Sequence, residues 1–575
     1  MSTPAAPQRV DRISWLLIAA MLVPVAVAAV RVVTGLDGFH ATSDNALNEL
    51  IVRDIGKHPV LLGPFARNGW SHPGPLLYYL LWTPYRVFGS KSSAMLVGAL
   101  MINGAAIATT IAIAKRWGGF VLAVPVALAC GVLIVQLPNG FLEDPWNPFI
   151  TVLPFGAFLM VAWAATCGDR WALPLAAFVG SFCAQTHVGY AALVATVLAW
   201  CVWRVVRGRK EPRIRGTEPR GVVALAWASI VFAIVWAPPV IEQLLHSPGN
   251  LRAIFRYFVS PPGPTHSLYD GYRVVAAQFT FHPDWILGLR GVNRLTGQVA
   301  AMFQHPTPLL IAPFALACVL AFRLPIPALR RLAPILLIPM FVGVISLAGT
   351  VGTMSEYRLR WVWVLAALCT AFAVSTFAEW LLHRTSPVVR IALTATGAAG
   401  LCLLTASGVA NAVDAQPPSA AAATMLTRLT AQTARHLPKR PGVILIGASS
   451  WNTTTYLPGV TLSFERAGIR VKAPNNLTYR LSLGEHRLHK GERVRAWLAL
   501  CEDAGIERVS MVPGARLLAY VGKVPRTVRA QVLRELARRR RTGTRGAMSS
   551  QTDSQLLAAT HATAVFEIVP TKRAG

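Results

Sequence analysis

The chain has 575 residues, of which 54% are hydrophobic and only 14% charged. That is too apolar for one soluble core of this size and excludes an ordinary soluble enzyme; the composition is that of an integral membrane protein. The formal net charge of +30 names no partner by itself, because basic loops orient membrane proteins and basic tails meet anionic lipid.

In chain order, Arg9 and Arg12 precede an apolar run from Ile13 to Val33. The run is longer than a signal-peptide core and no small-residue cleavage site ends it, so it is expected to be an uncleaved first span. The loop that follows holds Asp44 to Lys57, where Leu47, Leu50, Ile51 and Ile55 recur at helical spacing opposite Asn48, Glu49, Arg53 and Asp54. This predicts an amphipathic helix lying on the membrane, with Ser43 as N-cap and Asp44 in the first turn, where the helix dipole favours a carboxylate. Pro75 to Phe88 is too short to cross a slab that requires about 20 apolar residues, and is expected to stay at the outer surface.

Further spans are expected at 93–114, 120–137, 149–165, 173–186, 190–206, 222–238, 308–322, 333–347, 361–380 and 388–407. Counting these eleven inward and outward puts Lys115, Arg116, the loop after Trp203, Arg323, Arg330, Arg331, His383 and Arg384 on one side. That is the cytoplasmic side by the positive-inside bias, and the N-terminus shares it. External loops are then 34–92, 138–148 and 239–305, and the C-terminal region lies outside the cytoplasm. Within 239–305, Pro238-Pro239 reads as a rigid turn that opens another interfacial helix, and 285–294 as a candidate gate.

Residues 1–413 read as the membrane core and 414–575 as a small α/β domain. In that domain strands are expected at 442–448, 469–472, 508–512 and 563–569, and helices at 462–467, 494–504 and 524–541. A flexible basic segment near 537–552 suits anionic lipid or glycan; nucleic acid is not expected on that side. The eight cysteines form neither a disulfide framework nor a CxxC metal motif, so no metal or other cofactor is assigned.

Three pieces on the outer side carry a resemblance: Thr42-Ser43-Asp44 just after the first span, Ser71-His72-Pro73-Gly74-Pro75-Leu76 before the second, and Glu143-Asp144 in GFLEDPWNPF. Together they resemble the GT-C superfamily of polyprenyl-phosphate-dependent glycosyltransferases, which includes lipid A aminoarabinose transferase, protein O-mannosyltransferases and actinobacterial envelope mannosyl- and arabinosyltransferases. The resemblance covers residues 1–240. Gly74 stands where a second proline is common in the family, and His72 where some members carry a lysine that faces the lipid phosphate.

The resemblance implies transfer of a sugar from a polyprenyl-phosphate donor to an envelope glycan, lipid or protein at the outer face of the plasma membrane. Such a donor carries its own leaving group. The site must supply a carboxylate to take the acceptor proton and cations to hold the phosphate. Asp44 is the expected base, with Asp144 and Glu143 as further catalytic carboxylates; one displacement by one base implies inversion at C1. Arg67, His72 and Arg358 are the expected phosphate groups. Gln185 and His187, polar residues at the outer end of a span, are expected to line the sugar or acceptor pocket, and Glu242, beyond the Pro-Pro pair, to help bind the prenyl phosphate or the acceptor.

Each residue also has an ordinary structural use: Asp44 as a helix-start charge, Asp144 as a turn carboxylate, Arg358 as a snorkelling helix-end cation, His187 as an interhelical hydrogen-bonding group. Two other functions fit the composition, a transporter or flippase of lipid-linked or polar cargo and an inactive GT-C scaffold. The chain lacks the internal repeats and mid-membrane ionisable residues of a transporter.

Overall fold

A computed structural model describes residues 12–36, 38–207, 221–288, 305–324, 326–382, 386–437, 442–476, 479, 482–541 and 555–569. Arg9, the basic loop after Trp203, His383, Arg384, much of the 285–294 segment and most of the basic stretch 537–552 lie outside the described residues. The chain divides into two compact units, Met1–Asp37 with Val60–Pro417, and Gly38–Pro59 with Pro418–Gly575.

The first unit is a polytopic helical membrane core. Among the described residues eight helices are long and apolar enough to cross a bilayer: 14–35, 92–136, 147–167, 188–207, 221–245, 327–348, 360–381 and 387–414. Two shorter apolar helices, Ala172–Thr186 and Ile311–Ala321, join them. The 45-residue helix Ser92–Gln136 is two helices in series, broken at Gly119, whose φ of 65° and ψ of −165° suit a residue without a side chain. At the centre, Val152–Cys167 is buried along its whole length. Thr110, Ser375 and Thr376 satisfy their hydroxyls within their own helices, donating to carbonyls four residues back. The helix Leu76–Val87 has only 12 residues, fewer than a crossing needs.

The Pro238-Pro239 pair does not end its span; both residues lie inside the helix Gly221–Leu245. Pro239 cannot donate to the carbonyl four residues earlier, that of Val235. The Gln185 side-chain amide donates to it instead, at 2.7 Å.

The second unit is built on a five-stranded mixed sheet in the order β4-β3-β5-β7-β6, counting a two-stranded hairpin in the first unit (Phe65–Ala66 and Trp70–Ser71) as β1 and β2. Strand β3 (Val443–Ala448) runs parallel to β4 (Val471–Lys472) and β5 (Val494–Glu502). Strand β7 (Ala562–Ile568) runs antiparallel to β5 and to β6 (Ala515–Gly522). The segment 494–502 is therefore a strand where a helix was expected. Its alternation of Ala496, Leu498 and Leu500 toward the interior, with Trp497 outward, outweighs the helical preference of its alanines and leucines. Residues 508–512, expected as a strand, are the end of the helix Ala504–Ser510 and its exit turn.

The amphipathic helix of the first loop is present as Ser43–Asp54 and belongs to this second unit. Its apolar face, with Ala46, Leu47, Leu50 and Val52, is buried on protein, chiefly the helix Trp451–Arg466, and so is not the membrane-facing stripe expected. Thr42, not Ser43, is the N-cap residue, and Ser43 itself has a left-handed φ of 51°. Asp44 does sit in the first turn.

Candidate functional site

The hairpin β1–β2 turns through Arg67, Asn68 and Gly69, with Gly69 at a φ of 82° that such three-residue turns favour. Arg67 is exposed at this turn, and Trp70, Ser71 and His72 behind it are buried. Asn250 completes the edge of the hairpin with its side chain. The Ser71 N–H donates to Asn250 Oδ1 at 2.9 Å, and Asn250 Nδ2 donates to the Ser71 carbonyl at 2.8 Å. Glu242 holds Asn250 in turn, accepting its backbone N–H at 2.8 Å. Glu242 is thus spent on fixing the loop that fixes the hairpin.

His72 follows at the end of the strand. The Val188 N–H donates to His72 Nδ1 at 3.1 Å, which requires an unprotonated Nδ1 and leaves the ring proton on Nε2. Burial first, then the neighbouring His187 and the Arg358 charge, hold His72 well below the usual imidazole range. The residue is a neutral hydrogen-bond donor. The His187 ring centroid is 4.9 Å away, and burial and Arg358 push that ring down as well.

Gly74 closes this wall. A β-carbon there would stand 2.3 Å from Gln185 Oε1 and 2.7 Å from Pro239 Cγ. A proline does not fit here, because Gln185 has been recruited to the carbonyl that Pro239 leaves open. Gln185 is fully buried and its Oε1 has no hydrogen-bond partner among the described residues.

Two further loops join the cluster. Asp144 accepts the Trp146 N–H at 3.0 Å in a tight turn, and Asn147 reaches the Thr186 carbonyl at 3.4 Å. The Trp146 ring lies 5.0 Å from that of Tyr357, next to half-buried Arg358, whose Nε donates to the Tyr357 hydroxyl at 3.3 Å. His72, Gln185, His187, Arg358 and the turn of Asp144 therefore converge, with Glu242 behind them. Glu143 turns elsewhere and forms a buried ion pair with Arg31. Burial pushes its carboxyl up, against the opposing pull of Arg31. Asp44 belongs to the second unit.

Sequence patterns did not single out Arg360, which is almost wholly buried, donates to Glu356 at 3.0 Å and stacks 4.4 Å over the Trp363 ring. Its signal was present in the EYRLRW string but indistinguishable from a helix-end cation. Among the described residues, no three His, Cys, Asp or Glu side chains are grouped to share a metal ion.

The chain joins a multi-pass helical core to an α/β unit. The chain is similar to ArnT from Cupriavidus metallidurans in two crystal structures. With the form bound to undecaprenyl phosphate it aligns over 98% of this chain and 99% of that one, at a TM-score of 0.52 and 12% identity. With the apo form the coverage is 88% and 97%, the TM-score 0.53 and the identity 11%. At this identity the likeness establishes the shared fold. No protein-family model matches the sequence, and no curated protein matches it.

Proposed function

We propose that the protein is a membrane glycosyltransferase that moves a sugar from a polyprenyl-phosphate donor to an envelope glycan, lipid or protein, on the extracytoplasmic side of the plasma membrane. The observation that carries this reading is the cluster itself: a neutral Nε2–H donor at His72, a guanidinium at Arg358 and a carboxylate turn at Asp144, in the fold of a protein crystallised with undecaprenyl phosphate. Arg358 supplies positive charge for the donor phosphate, with Arg67 at the exposed hairpin turn as a second cation. His72 supplies a hydrogen bond to the same group, and Gln185 Oε1 and His187 offer polar atoms for the sugar or acceptor.

Asp44 takes the proton from the acceptor hydroxyl as that oxygen forms a bond to C1. The C1–O bond to phosphate breaks, its electron pair stays on the phosphate oxygen, and C1 inverts. Polyprenyl phosphate leaves with one more negative charge than the donor had, which is the charge the cations meet. Asp144 orients the acceptor as the second carboxylate. Glu143, bound to Arg31, secures the loop that presents Asp144. Anionic lipids attract the basic tail.

The test is transfer by purified full-length protein from radiolabelled decaprenyl-phosphate arabinose, mannose and glucose to envelope acceptors, with Asp44→Asn alongside. Transfer that Asp44→Asn abolishes while donor binding persists supports both the reaction and its base. Binding of every donor with no transfer from any of them counts against the enzyme and in favour of carriage or scaffolding.

A further inference from the structure

We propose that the C-terminal unit is the positioning frame for the helix that carries Asp44, with Gly459, Arg466 and His486 as its fixing points. The proposal rests on the reading of Asp44 as base. The helix Ser43–Asp54 is held at both ends and in its middle, by three different kinds of contact.

At its start the chain passes against Gly459. A β-carbon on Gly459 would stand 3.2 Å from the Ala41 carbonyl oxygen, 3.3 Å from Thr42 Cα and 2.7 Å from Leu426. This seat fixes the backbone two residues before Asp44. It also adjoins the left-handed Ser43 (φ 51°), a conformation that persists only where its surroundings impose it.

In the middle, Glu49 is fully buried and ion-paired with Arg466. A buried carboxylate left without its cation is strongly unfavourable, so this pair fixes the helix's rotation about its axis. At the far end, His486 lies between two carboxylates. Its Nε2 is 3.2 Å from Asp54 Oδ2 and its Nδ1 is 2.6 Å from Glu465 Oε1. With a carboxylate at each nitrogen the ring donates twice, which only the imidazolium can do. Arg466 and Glu465 are consecutive residues, so one turn of the helix Trp451–Arg466 serves both fastenings.

A 12-residue helix fixed in this way has no freedom to slide or roll, and its first-turn carboxylate inherits that rigidity. Misplacement of a catalytic group by about 1 Å costs roughly 100-fold in rate, which gives the frame a kinetic rather than merely structural purpose.

The test uses the full-length protein with three variants, Arg466→Met, Gly459→Val and the exchanged pair Glu49→Arg/Arg466→Glu. Hydrogen exchange is read on the Ser43–Asp54 amides, with β3 and β7 as internal references for global unfolding. Transfer is read with whichever decaprenyl-phosphate sugar the parent uses. Arg466→Met and Gly459→Val are expected to speed exchange in Ser43–Asp54 at least tenfold while β3 and β7 stay protected. They should lower kcat at least tenfold and change the donor KM less than threefold; the exchanged pair should recover part of both losses.

Unchanged exchange in both single variants overturns the frame. Faster exchange with the parent's kcat overturns its positioning role. Asp44→Asn transferring at the parent's rate removes the base assignment instead, and is distinguishable because the exchange measurement does not depend on it.

Discussion

Two buried histidines show how differently the two units hold their polar residues. His72 sits among backbone groups and rings, accepts one N–H and stays neutral. His486 sits between Asp54 and Glu465; burial pulls its pKa down, but the two hydrogen bonds and charges outweigh this and hold it up at about 9. Around His72, sterics and backbone hydrogen bonds set the geometry; around His486, charge does. The loop between the first two spans is shared between these regimes, Gly38–Pro59 with one and Val60 onward with the other. Overpacking at Gly74 should therefore damage the His72 cluster, and loss of charge at Arg466 or His486 the Asp44 helix.

The largest effect is expected at the candidate base. Asp44→Asn should lower kcat by roughly 100- to 10,000-fold, the range general-base removal gives, with donor affinity kept; a loss below tenfold in steady-state transfer would reassign the role, Asp144 being next in line.

Gly74→Ala comes second and is purely steric. The added carbon meets Gln185 and Pro239, and overpacking of this kind costs about 1–3 kcal/mol. Pairing it with Gln185→Ala should restore part of the loss in thermal stability and donor binding. If the double variant is worse than the sum of the singles, Gln185 does not set the limit at Gly74.

Asn250→Ala should follow. It leaves the buried Ser71 N–H and carbonyl unpaired, at about 1–3 kcal/mol for an orphaned group. It should raise the donor KM several-fold through the loosened hairpin, while exchange in Ser43–Asp54 stays as in the parent. Loss of protection in that helix would break the separation of the two regimes.

The smallest effect is one of pH. His486 binds its proton more tightly folded than unfolded, where its value is near 6.5. Its contribution is therefore complete below about 6.5 and fades as pH rises through about 9. Transfer and protection of Ser43–Asp54 should share that alkaline limb, and His486→Gln should remove it; an unchanged limb in His486→Gln would assign it to another group.

Much of this was legible from residue order. The apolar runs and short basic loops outlined the membrane core, and the apolar run of 442–448, bounded by turn residues, and the segment 563–569 were correctly expected as two strands of the sheet. What could not be read was where satisfied hydrogen bonds would come from. Pro238-Pro239 looked like a stop because a proline cancels a backbone bond, and only the fold supplies Gln185 as the replacement donor. The Ser43–Asp54 helix looked membrane-bound because an apolar stripe does not say which apolar surface it meets. For 494–504, helix formers concealed a two-residue period that pairing with β3 and β7 makes decisive. At the site, residue types flagged His72, His187 and Arg358, but the tautomer of His72 depends on a Val188 N–H more than a hundred residues away.

That tautomer bears on how the cycle ends. In the proposed reaction the spent carrier is a phosphate monoester and more anionic than the sugar-bearing diester, so a fixed cation would grip it harder than the substrate it replaces. A neutral Nε2–H at His72 adds far less of that preference to what Arg358 and Arg67 exert, and in the proposed cycle it would not slow the final dissociation further. His72→Lys should accordingly make free undecaprenyl phosphate a stronger competitive inhibitor, by several-fold in its inhibition constant. An unaltered constant would mean that His72 does not meet the leaving phosphate.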